Sequence, residues 1–211
     1  MEIRYLKSVD STHTYLKEYI KSNGFSNSLC FYTQEQTAGI GSRGNSWVGT
    51  KGNLFFSFVL KQDDLPNDLE IQSASIYFSF VLKNILKQLG SEVWLKWPND
   101  FYINNYKIGG TITSVSNGLV YCGIGLNLNN VNSEFLKLDI QINIKELFKL
   151  YFQNIEKKIL WEDILKEYVI EFERSKNLHA TINNEKIPLI NAQLNSDGSI
   201  NINNKKVFSL R

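Results

Sequence analysis

The chain has little of what marks several common classes of protein. Its 211 residues include two cysteines, Cys30 and Cys122, each in an apolar, strand-like run. Without CxxC spacing or clustered histidines they form no zinc motif, and they indicate buried thiols in a reducing compartment. The formal net charge is only +2, which gives no sign of a nucleic-acid-binding protein. No stretch approaches the ~18 apolar residues of a membrane span, and no apolar N-terminal run precedes a cleavage site. We therefore expect a cytoplasmic protein that binds neither membrane nor nucleic acid.

What is present is an ordinary globular composition, 43% hydrophobic and 21% charged. The length suits one main domain and a small appendage. We predict an α+β main domain over residues 1–176, in which a mixed sheet is flanked by helices. From about residue 178 short strands alternate with Asn and Asp-Gly turns, so we predict a small β domain over residues 177–211.

The periodicity of the sequence predicts the elements of the main domain. Ser11 can cap a helix that Gly24 ends, and a clear helical period runs from Ile71 to Leu89 and stops at Gly90. Further helices are predicted over 147–160 and 161–176, and strands over 29–33, 54–60, 93–97, 108–115 and 119–124.

Residues 96–110, with the sequence KWPNDFYINNYKIGG, form the most informative stretch. Pro98 should stop a strand and leave Asn99 and Asp100 in a turn. A tight turn at 104–105 then brings Lys107 back near Asp100, and Gly109 and Gly110 leave room for a ligand against the backbone. A carboxylate, an ammonium and bare backbone in one hairpin predict a site for a charged ligand such as a nucleotide.

A second stretch, residues 33–47, is a glycine-rich loop that contains Gly39, Gly41 and Gly44. Its backbone N–H groups can wrap an anionic group, and Arg43 can pair with a phosphate. No helical period begins at Gly44 and no Gly-Lys-Ser/Thr follows, so a dinucleotide fold is disfavoured and a P-loop is excluded. A third stretch, residues 121–129, breaks from a strand into a loop, where Asn127 can hydrogen-bond a ligand.

Together and in this order, the three stretches closely resemble the biotin protein ligase family. That family carries a Gln-Thr-x-Gly-x-Gly loop ending in Trp, then Lys-Trp-Pro-Asn-Asp with a following Lys-x-x-Gly, then Gly-x-Gly-x-Asn. These correspond to residues 36–47, 96–110 and 123–127. Upstream, residues 10–13 resemble the family's Ser-Thr-Asn segment. The resemblance implies a class II synthetase-like catalytic domain and an SH3-like C-terminal β domain.

The resemblance also implies an activity with two steps. ATP activates biotin to biotinyl-5′-AMP, and the biotinyl group then passes to a lysine of a biotin carboxyl carrier protein. ATP and Mg²⁺ are the implied cofactors, with Mg²⁺ carried mainly by the ATP phosphates rather than by a dedicated protein site. The chain starts close to Ser11, so we expect no DNA-binding domain of the kind that larger members carry before this segment. The oligomeric state is left open, a homodimer included.

The implied site residues fall into three groups. The catalytic groups are Lys107, Arg43 and Asp100, since two anions must meet and an amine must lose a proton. Biotin binding is assigned to Ser11, Thr12, Gln36, Gly39, Gly41, Lys107, Gly109 and Gly110. ATP binding is assigned to Arg43, Trp47, Asn99, Asp100, Asn127 and Arg211.

The chain departs from the family pattern in three places. Ser42 and Asn45 stand where the family often has arginine, which leaves Arg43 as the cation of the loop, and His13 replaces an asparagine. We expect a weaker grip on phosphate from this loop, and His13 to be a packed or exposed histidine rather than an acid–base group.

Three alternatives stay open. A lipoate or octanoate ligase or transferase shares the fold and the acyl-adenylate chemistry, but Ser11, Thr12 and Gln36 favour a ureido head group. A non-catalytic biotin-binding relative is conceivable because arginines are missing, although Lys107 and Asp100 argue against it. A nucleic-acid module needs a basic stripe with interleaved aromatics, and the sequence shows none.

Overall fold

A computed structural model describes residues 1–41, 46–47, 51–129, 136–182 and 185–208. The helices in those ranges are α1 (Thr12–Asn23), α2 (Ala74–Gln88), α3 (Ile144–Glu156) and α4 (Trp161–Ser175). The strands are β1 (Glu2–Tyr5), β2 (Leu29–Thr33), β3 (Gly39–Ile40), β4 (Ser46–Trp47), β5 (Leu54–Lys61), β6 (Trp94–Lys96), β7 (Asp100–Ile103), β8 (Tyr106–Ser116), β9 (Leu119–Leu126), β10 (His179–Ile182), β11 (Glu185–Pro188), β12 (Gln193–Leu194), β13 (Ile200–Ile202) and β14 (Lys205–Val207). None of the helices in these ranges is long and apolar enough to cross a membrane.

Seven strands form the main sheet in the order β1-β2-β5-β9-β8-β7-β6. The pair β1–β2 is parallel and every other pair in this sheet is antiparallel. The strands at its centre, β5 and β9, come from segments of the chain that are far apart in sequence. The mixed sheet predicted for the main domain is confirmed.

One face of the sheet is covered by α2, α3 and α4, which form the larger hydrophobic core. On this face the ring of Phe58 meets Phe78 of α2 and Phe152 of α3 edge to face, with centroids 5.0 and 5.4 Å apart. Such aromatic contacts add to the free energy of burial. Strand β5 is apolar along most of its length because both of its faces are covered.

The opposite face carries α1 alone among the four helices. Leu16 and Ile20 of this helix pack on Phe31, Val59 and Tyr121, which lie one each on the adjacent strands β2, β5 and β9. The cap predicted at Ser11 is formed, since its hydroxyl accepts the Thr14 N–H, and the chain leaves the helix at Gly24. Helix α1 covers only part of this face, so the sheet beyond it is open.

The predicted hairpin turns are present. Asn104 has a φ of 52° between β7 and β8, and Asn117 and Gly118 have φ values of 51° and 71° between β8 and β9. One detail of the prediction was wrong, because Asp100 is not in a turn. It is the first residue of β7 and pairs with Lys96 and Gly110, since the turn takes up only residues 97–99.

The C-terminal strands form a two-stranded sheet, β10–β11, and a three-stranded sheet, β12–β13–β14. Three successive carbonyls at 196–198 dock them on the rest of the chain. These carbonyls accept hydrogen bonds from Trp161 Nε1 at 2.8 Å, from Ser73 Oγ and from Trp97 Nε1 at 3.0 Å. Buried residues on both sides of the predicted boundary after residue 176 belong to one hydrophobic cluster, so that boundary stays a prediction.

Candidate active site

A cavity of about 470 Å³ opens on the α1 side of the sheet. Two neighbouring cross-strand rows contribute to its floor. The first contains Ser57, Gly123 and Ile112, and the second contains Phe55, Gly125, Gly110 and Asp100. Because residues on one face of a strand recur every two positions, the two rows lie roughly 7 Å apart. The floor therefore passes from a neutral row to a charged one.

Glycines keep this floor low. A Cβ at Gly123 would lie 3.1 Å from Ser57 Oγ and 3.2 Å from His13 Nδ1, and a Cβ at Gly125 would lie 3.2 Å from Trp47 Cε2. All three distances are tighter than ordinary van der Waals contact, so a larger residue at either position would push polar or aromatic groups of the site. This close packing explains why residues 123–127 have glycine at positions 123 and 125.

The neutral end of the cavity is built by the N-terminus of α1 and β5. The Thr12 hydroxyl lies 2.8 Å from Ser57 Oγ and 3.1 Å from Gln36 Oε1, which also accepts the Thr12 backbone N–H at 2.7 Å. Ser11, Thr12 and Ser57 are buried and line the cavity together with Gln36. The predicted grouping of Ser11, Thr12 and Gln36 is thus present in the fold. These neutral donors and acceptors suit a polar, uncharged head group.

His13 lies beside this end. Its Nε2 is 3.2 Å from Ser114 Oγ, and its buried Nδ1 has no hydrogen-bond partner among the described residues. Burial, helped by the charge of Lys17, lowers the pKa of His13 to about 4. The imidazole is therefore neutral at pH 7. Of the two environments expected for it, packed or exposed, the structure shows the packed one.

The charged end of the cavity centres on an ion pair. Lys107 Nζ lies 2.6 Å from Asp100 Oδ1, and Lys96 Nζ lies 3.9 Å from the other carboxylate oxygen. The predicted approach of Lys107 to Asp100 is confirmed. Gly110 lies below this pair, since a Cβ there would be 3.1 Å from Asp100 Oδ1 and 3.5 Å from Lys107 Nζ. Lys107 and Asp100 are each about one-quarter exposed, so a ligand in the cavity can reach both.

Trp47 lies over the passage between the two ends. Its indole packs on Gly125, and Lys107 Nζ is 5.4 Å from the ring centroid, within the range of a cation–π interaction. The strand pair β3–β4 holds it opposite Gly39. A Cβ at Gly39 would come within 2.8 Å of Gln36 Nε2 and of the Trp47 carbonyl. Gly39 thus allows Gln36 and Trp47 to approach each other. Gly39 itself does not line the cavity, whereas Gly41 does.

Two other predicted residues lie outside the cavity lining. Gly109 was expected to leave room for a ligand, but its missing side chain makes room for the adjacent strand, because a Cβ there would lie 2.6 Å from the Gly125 carbonyl. Asn99 is buried, and its amide Nδ2 donates to the Thr111 carbonyl at 2.7 Å. That bond ties the 97–99 turn to β8, and a direct contact of Asn99 with ATP has no support in this geometry.

Asn127, in contrast, lines the cavity at the end of β9. Its side-chain Nδ2 donates to the Leu136 carbonyl at 3.3 Å, and its backbone bonds to Ile108 and Leu138. The predicted residues Arg43 and Arg211 lie outside the described residues, as do Ser42 and Asn45.

The cavity lining includes residues to which sequence reasoning assigned no role, among them Ser57, Lys96, Tyr102, Thr181 and Lys186. Ser57 had a signal, because it is the one polar residue in the apolar run 54–60. Lys96 and Tyr102 lie within residues 96–110 but were not assigned a role. Thr181 and Lys186 come from the C-terminal β10–β11 hairpin, and no local pattern marks them.

Helix α4 holds the KWPND stretch from below. Its Ser175 Oγ accepts the Trp97 N–H at 2.9 Å, its Tyr168 hydroxyl donates to the Pro98 carbonyl at 2.8 Å, and Glu171 Oε2 accepts the Leu95 N–H at 3.0 Å. Pro98 has no backbone N–H to donate. Side chains of α4 bond the neighbouring backbone groups of the turn, namely the Trp97 N–H and the Pro98 carbonyl. The position of Asp100 follows from this support.

A cavity that joins neutral hydrogen-bonding groups to an accessible Lys–Asp pair is built for a ligand with a polar head and an anionic end. Comparison with known proteins agrees. A model described as the Biotin/lipoate A/B protein ligase family matches residues 5–129, which is more than half of the chain. The chain belongs to the biotin/lipoate A/B protein ligase family. The resemblance found in the sequence is confirmed.

The chain is also similar to individual biotin ligases. A biotin acetyl coenzyme A carboxylase synthetase from Helicobacter pylori, solved with bound biotinylated ATP, is 39% identical with a TM-score of 0.93, over 98% of this chain and 99% of that chain. Biotin–protein ligase 2 of Arabidopsis thaliana is 37% identical over 103 residues, which cover 45% of this chain and 31% of the plant ligase. The chain therefore spans less than a third of that curated relative.

A more distant structure shows the fold alone. The biotin protein ligase of Leishmania major, in complex with biotinyl-5-AMP, is 20% identical with a TM-score of 0.71, over 94% of this chain and 93% of that chain. The predicted ligase fold, a mixed sheet flanked by helices with small C-terminal sheets, is confirmed.

Proposed function

We propose that this protein is an ATP-dependent biotin protein ligase, which forms biotinyl-5′-AMP and transfers the biotinyl group to a lysine of a biotin carboxyl carrier protein. The observation that carries the proposal is the single cavity in which Thr12, Gln36 and Ser57 lie at one end and Lys107 and Asp100 at the other. The similarity to the Helicobacter pylori synthetase, which binds biotinylated ATP, supports it.

In the first step the biotin carboxylate attacks the α-phosphate of ATP. A new C–O–P linkage forms, the bond to the bridging oxygen breaks, and pyrophosphate leaves. Two anions repel each other as they approach, so a fixed cation between them lowers the barrier. Lys107 is that cation, because Asp100 and the ring of Trp47 hold its ammonium in the passage between the two ends.

The ureido head lies at the neutral end. Its N–H groups and carbonyl find acceptors and donors in Gln36, Thr12, Ser11 and Ser57. The hydrogen bonds that join Thr12 to Gln36 and to Ser57 are already formed. Gly41 and Gly110 line the path of the tail, and Asn127 and Trp47 line the nucleotide side. The roles first assigned to Gly109, Asn99, Arg43 and Arg211 remain predictions from the family motif.

The donor set fits Mg²⁺ that arrives on the nucleotide. Among the described residues Asp100 is the carboxylate of the cavity lining, and no group of three or more His, Cys, Asp or Glu side chains is gathered in the described ranges. Mg²⁺ commonly binds substrate phosphates together with one or two carboxylates, so Asp100 is the residue within reach. The ion supplies charge neutralisation on the phosphates.

In the second step a lysine amine of the carrier attacks the biotinyl carbonyl, and AMP leaves. The amine must first lose a proton, and Asp100 is the carboxylate placed to orient the amine or accept that proton. In this proposal the mixed anhydride forms beside the ion pair of Asp100 with Lys107. We assign the reaction to the cytoplasm, because the two free cysteines are both buried thiols.

The test is the intact mass of an apo biotin-carrier domain after incubation with this protein, ATP, Mg²⁺ and biotin. A parallel reaction contains lipoate and an apo lipoyl domain. We expect a biotin-sized gain on one lysine that requires ATP. A gain with lipoate alone would move the activity to a lipoate ligase, and biotin binding without any gain in mass would favour a non-catalytic binder.

A further inference from the structure

The outer edge of β6 is closed by side chains of a helix. This strand stands last in the order of the main sheet, and no other strand of the described ranges pairs with its outer edge. Backbone N–H groups on such an edge need other partners. The Leu95 N–H donates to Glu171 Oε2 at 3.0 Å, and the Trp97 N–H donates to Ser175 Oγ at 2.9 Å. Because residues four apart share a helix face, one face of α4 takes the place of a neighbouring strand.

Tyr168 extends this face of α4 to the turn that follows β6. It lies three residues before Glu171, its side chain is fully buried, and its hydroxyl donates to the Pro98 carbonyl at 2.8 Å. On the other side of the turn, Asn99 Nδ2 donates to the Thr111 carbonyl at 2.7 Å. The 97–99 turn is therefore held between α4 and β8.

This turn sets the position of two charged side chains of the cavity. Lys96 and Asp100 are cross-strand partners at its two ends, and both line the cavity. Asp100 Oδ1 lies 2.6 Å from Lys107 Nζ, and Lys107 belongs to a different strand, β8. A shift of the turn would therefore move the carboxylate relative to the ammonium. A misplacement of about 1 Å in a catalytic group can cost on the order of 100-fold in rate.

We propose that Tyr168 is a positioning residue, whose hydroxyl holds the 97–99 turn so that Asp100 keeps the Lys107 ammonium in the passage where the two anions meet. The inference rests on the proposed function for the identity of the reaction. Tyr168 is not part of the cavity lining, so its effect passes through Asp100. Loss of the hydroxyl should lower the rate constant and leave biotin affinity unchanged, because the ureido head binds at the other end of the cavity.

The experiment measures the single-turnover rate constant of biotinyl-AMP formation at saturating biotin and ATP with Mg²⁺. We compare the wild type with Tyr168→Phe and with the matched control Tyr151→Phe. Tyr151 is also fully buried, and its hydroxyl also donates to a backbone carbonyl, that of Phe78 at 3.2 Å, outside the cavity lining. Rates are expressed per biotin-binding site, so that unfolded protein is not counted.

We expect the rate constant of Tyr168→Phe to fall about tenfold. The rate constant of Tyr151→Phe, and the Kd for biotin in all three proteins, should stay within about twofold of the wild type. An unchanged rate constant in Tyr168→Phe, or an equal loss in Tyr151→Phe, would overturn the inference. Ser175→Ala removes the acceptor of the Trp97 N–H and should lower the rate constant in the same way. Should Tyr168→Phe not fold, an unchanged rate constant in Ser175→Ala would overturn the inference instead.

Amide hydrogen exchange without substrates separates this inference from the proposed function. Residues 95–100 should exchange faster in Tyr168→Phe than in the wild type, and at the wild-type rate in Tyr151→Phe. That pattern in a protein whose wild type forms no biotinyl-AMP would support the hold of Tyr168 on the turn and contradict the ligase activity. Wild-type exchange of residues 95–100 in Tyr168→Phe would overturn the positioning role, whatever the activity.

Discussion

In the proposed ligase reaction, Lys107 is the residue on which the chemistry most depends. We expect Lys107→Ala to lower kcat for biotinyl-AMP formation by at least about a hundredfold, because it removes a cation fixed where charge develops in the transition state. Its effect on biotin binding should be much smaller. Stopped-flow or single-turnover measurement of the intermediate checks this. Asp100→Asn is the companion variant, since it removes the ion-pair partner but leaves the ammonium. Near-full turnover in Lys107→Ala would refute the assignment.

At the residue scale, the sequence was sufficient to predict site residues whose partners are close in the chain or belong to a recognised motif. Lys107 and Asp100 are two sides of one hairpin, and Gln36 with Thr12 belongs to motif segments. Ser57 and Lys186 were missed because their proximity to the cavity is tertiary. Asn99 and Gly109 show a different limit. Both lie outside the cavity lining, and a motif residue that packs beneath a site has the same sequence signal as one that contacts the ligand.

His13 gives the protein a dependence on pH. Burial lowers the pKa of His13 to about 4, below the value of an unfolded histidine. As pH falls below about 6.5 the unfolded chain takes up a proton that the folded chain refuses until about pH 4. The stabilising contribution is therefore complete above pH 6.5 and is lost on acidification towards pH 4.

The measurement is urea unfolding of the wild type and of His13→Gln at pH 7 and pH 4.5. The free energy of unfolding of the wild type relative to the variant should fall by about 2 kcal/mol between the two pH values. Carboxylates titrate in both proteins, so their contribution cancels in the comparison. A difference that is the same at both pH values would show that His13 does not titrate in this window.

At the scale of elements, the sequence predicted helices and hairpins well because each carries a local signal. Helix α1 has its Ser11 cap and Gly24 end, and the 117–118 turn has two residues that adopt positive φ. Strand β1 was missed because it is four residues long and mostly exposed. Asp100 was wrongly placed in a turn because a proline two residues earlier did not prevent the strand from resuming.

Helix α4 fixes the active-site turn through a buried ion pair. Glu171 Oε1 lies 3.0 Å from Lys83 Nζ of α2, and Glu171 Oε2 accepts the Leu95 N–H. Burial lowers the pKa of Lys83 and Glu171 partly offsets that effect. We expect Glu171→Ala to cost about 3 kcal/mol or more, because it leaves a buried ammonium and a backbone N–H without a partner.

Chemical denaturation checks this value, with Glu167→Ala as the control on the exposed face of the same helix. The control should change the free energy of unfolding by less than about 0.5 kcal/mol. Equal effects of the two substitutions would mean that the ion pair contributes no more than an exposed glutamate.

At the scale of the whole molecule, the 196–198 turn links the C-terminal strands to the rest of the chain. We expect Trp161→Phe to lower the free energy of unfolding by about 1 kcal/mol, since the Ser196 carbonyl loses its indole donor. Hydrogen exchange should quicken in residues 179–207 and stay unchanged in α2. Trp94→Phe is the matched control, because its indole donates to Asn104 within the β6–β8 region. Faster exchange in 179–207 for both variants would argue that docking does not depend on this bond.

The order of strands in the sheet has a consequence for how the chain is made. Strand β5 pairs on one side with β2 and on the other with β9, and no partner for its second edge exists until residues 119–126 have been synthesised. Pairing between distant segments is slow, because the intervening chain must first be closed into a loop. During translation the apolar run 54–60 therefore waits with one edge open until the segment carrying the 123–127 motif emerges. The same glycine-containing strand that forms part of the cavity floor therefore also joins the two halves of the sheet.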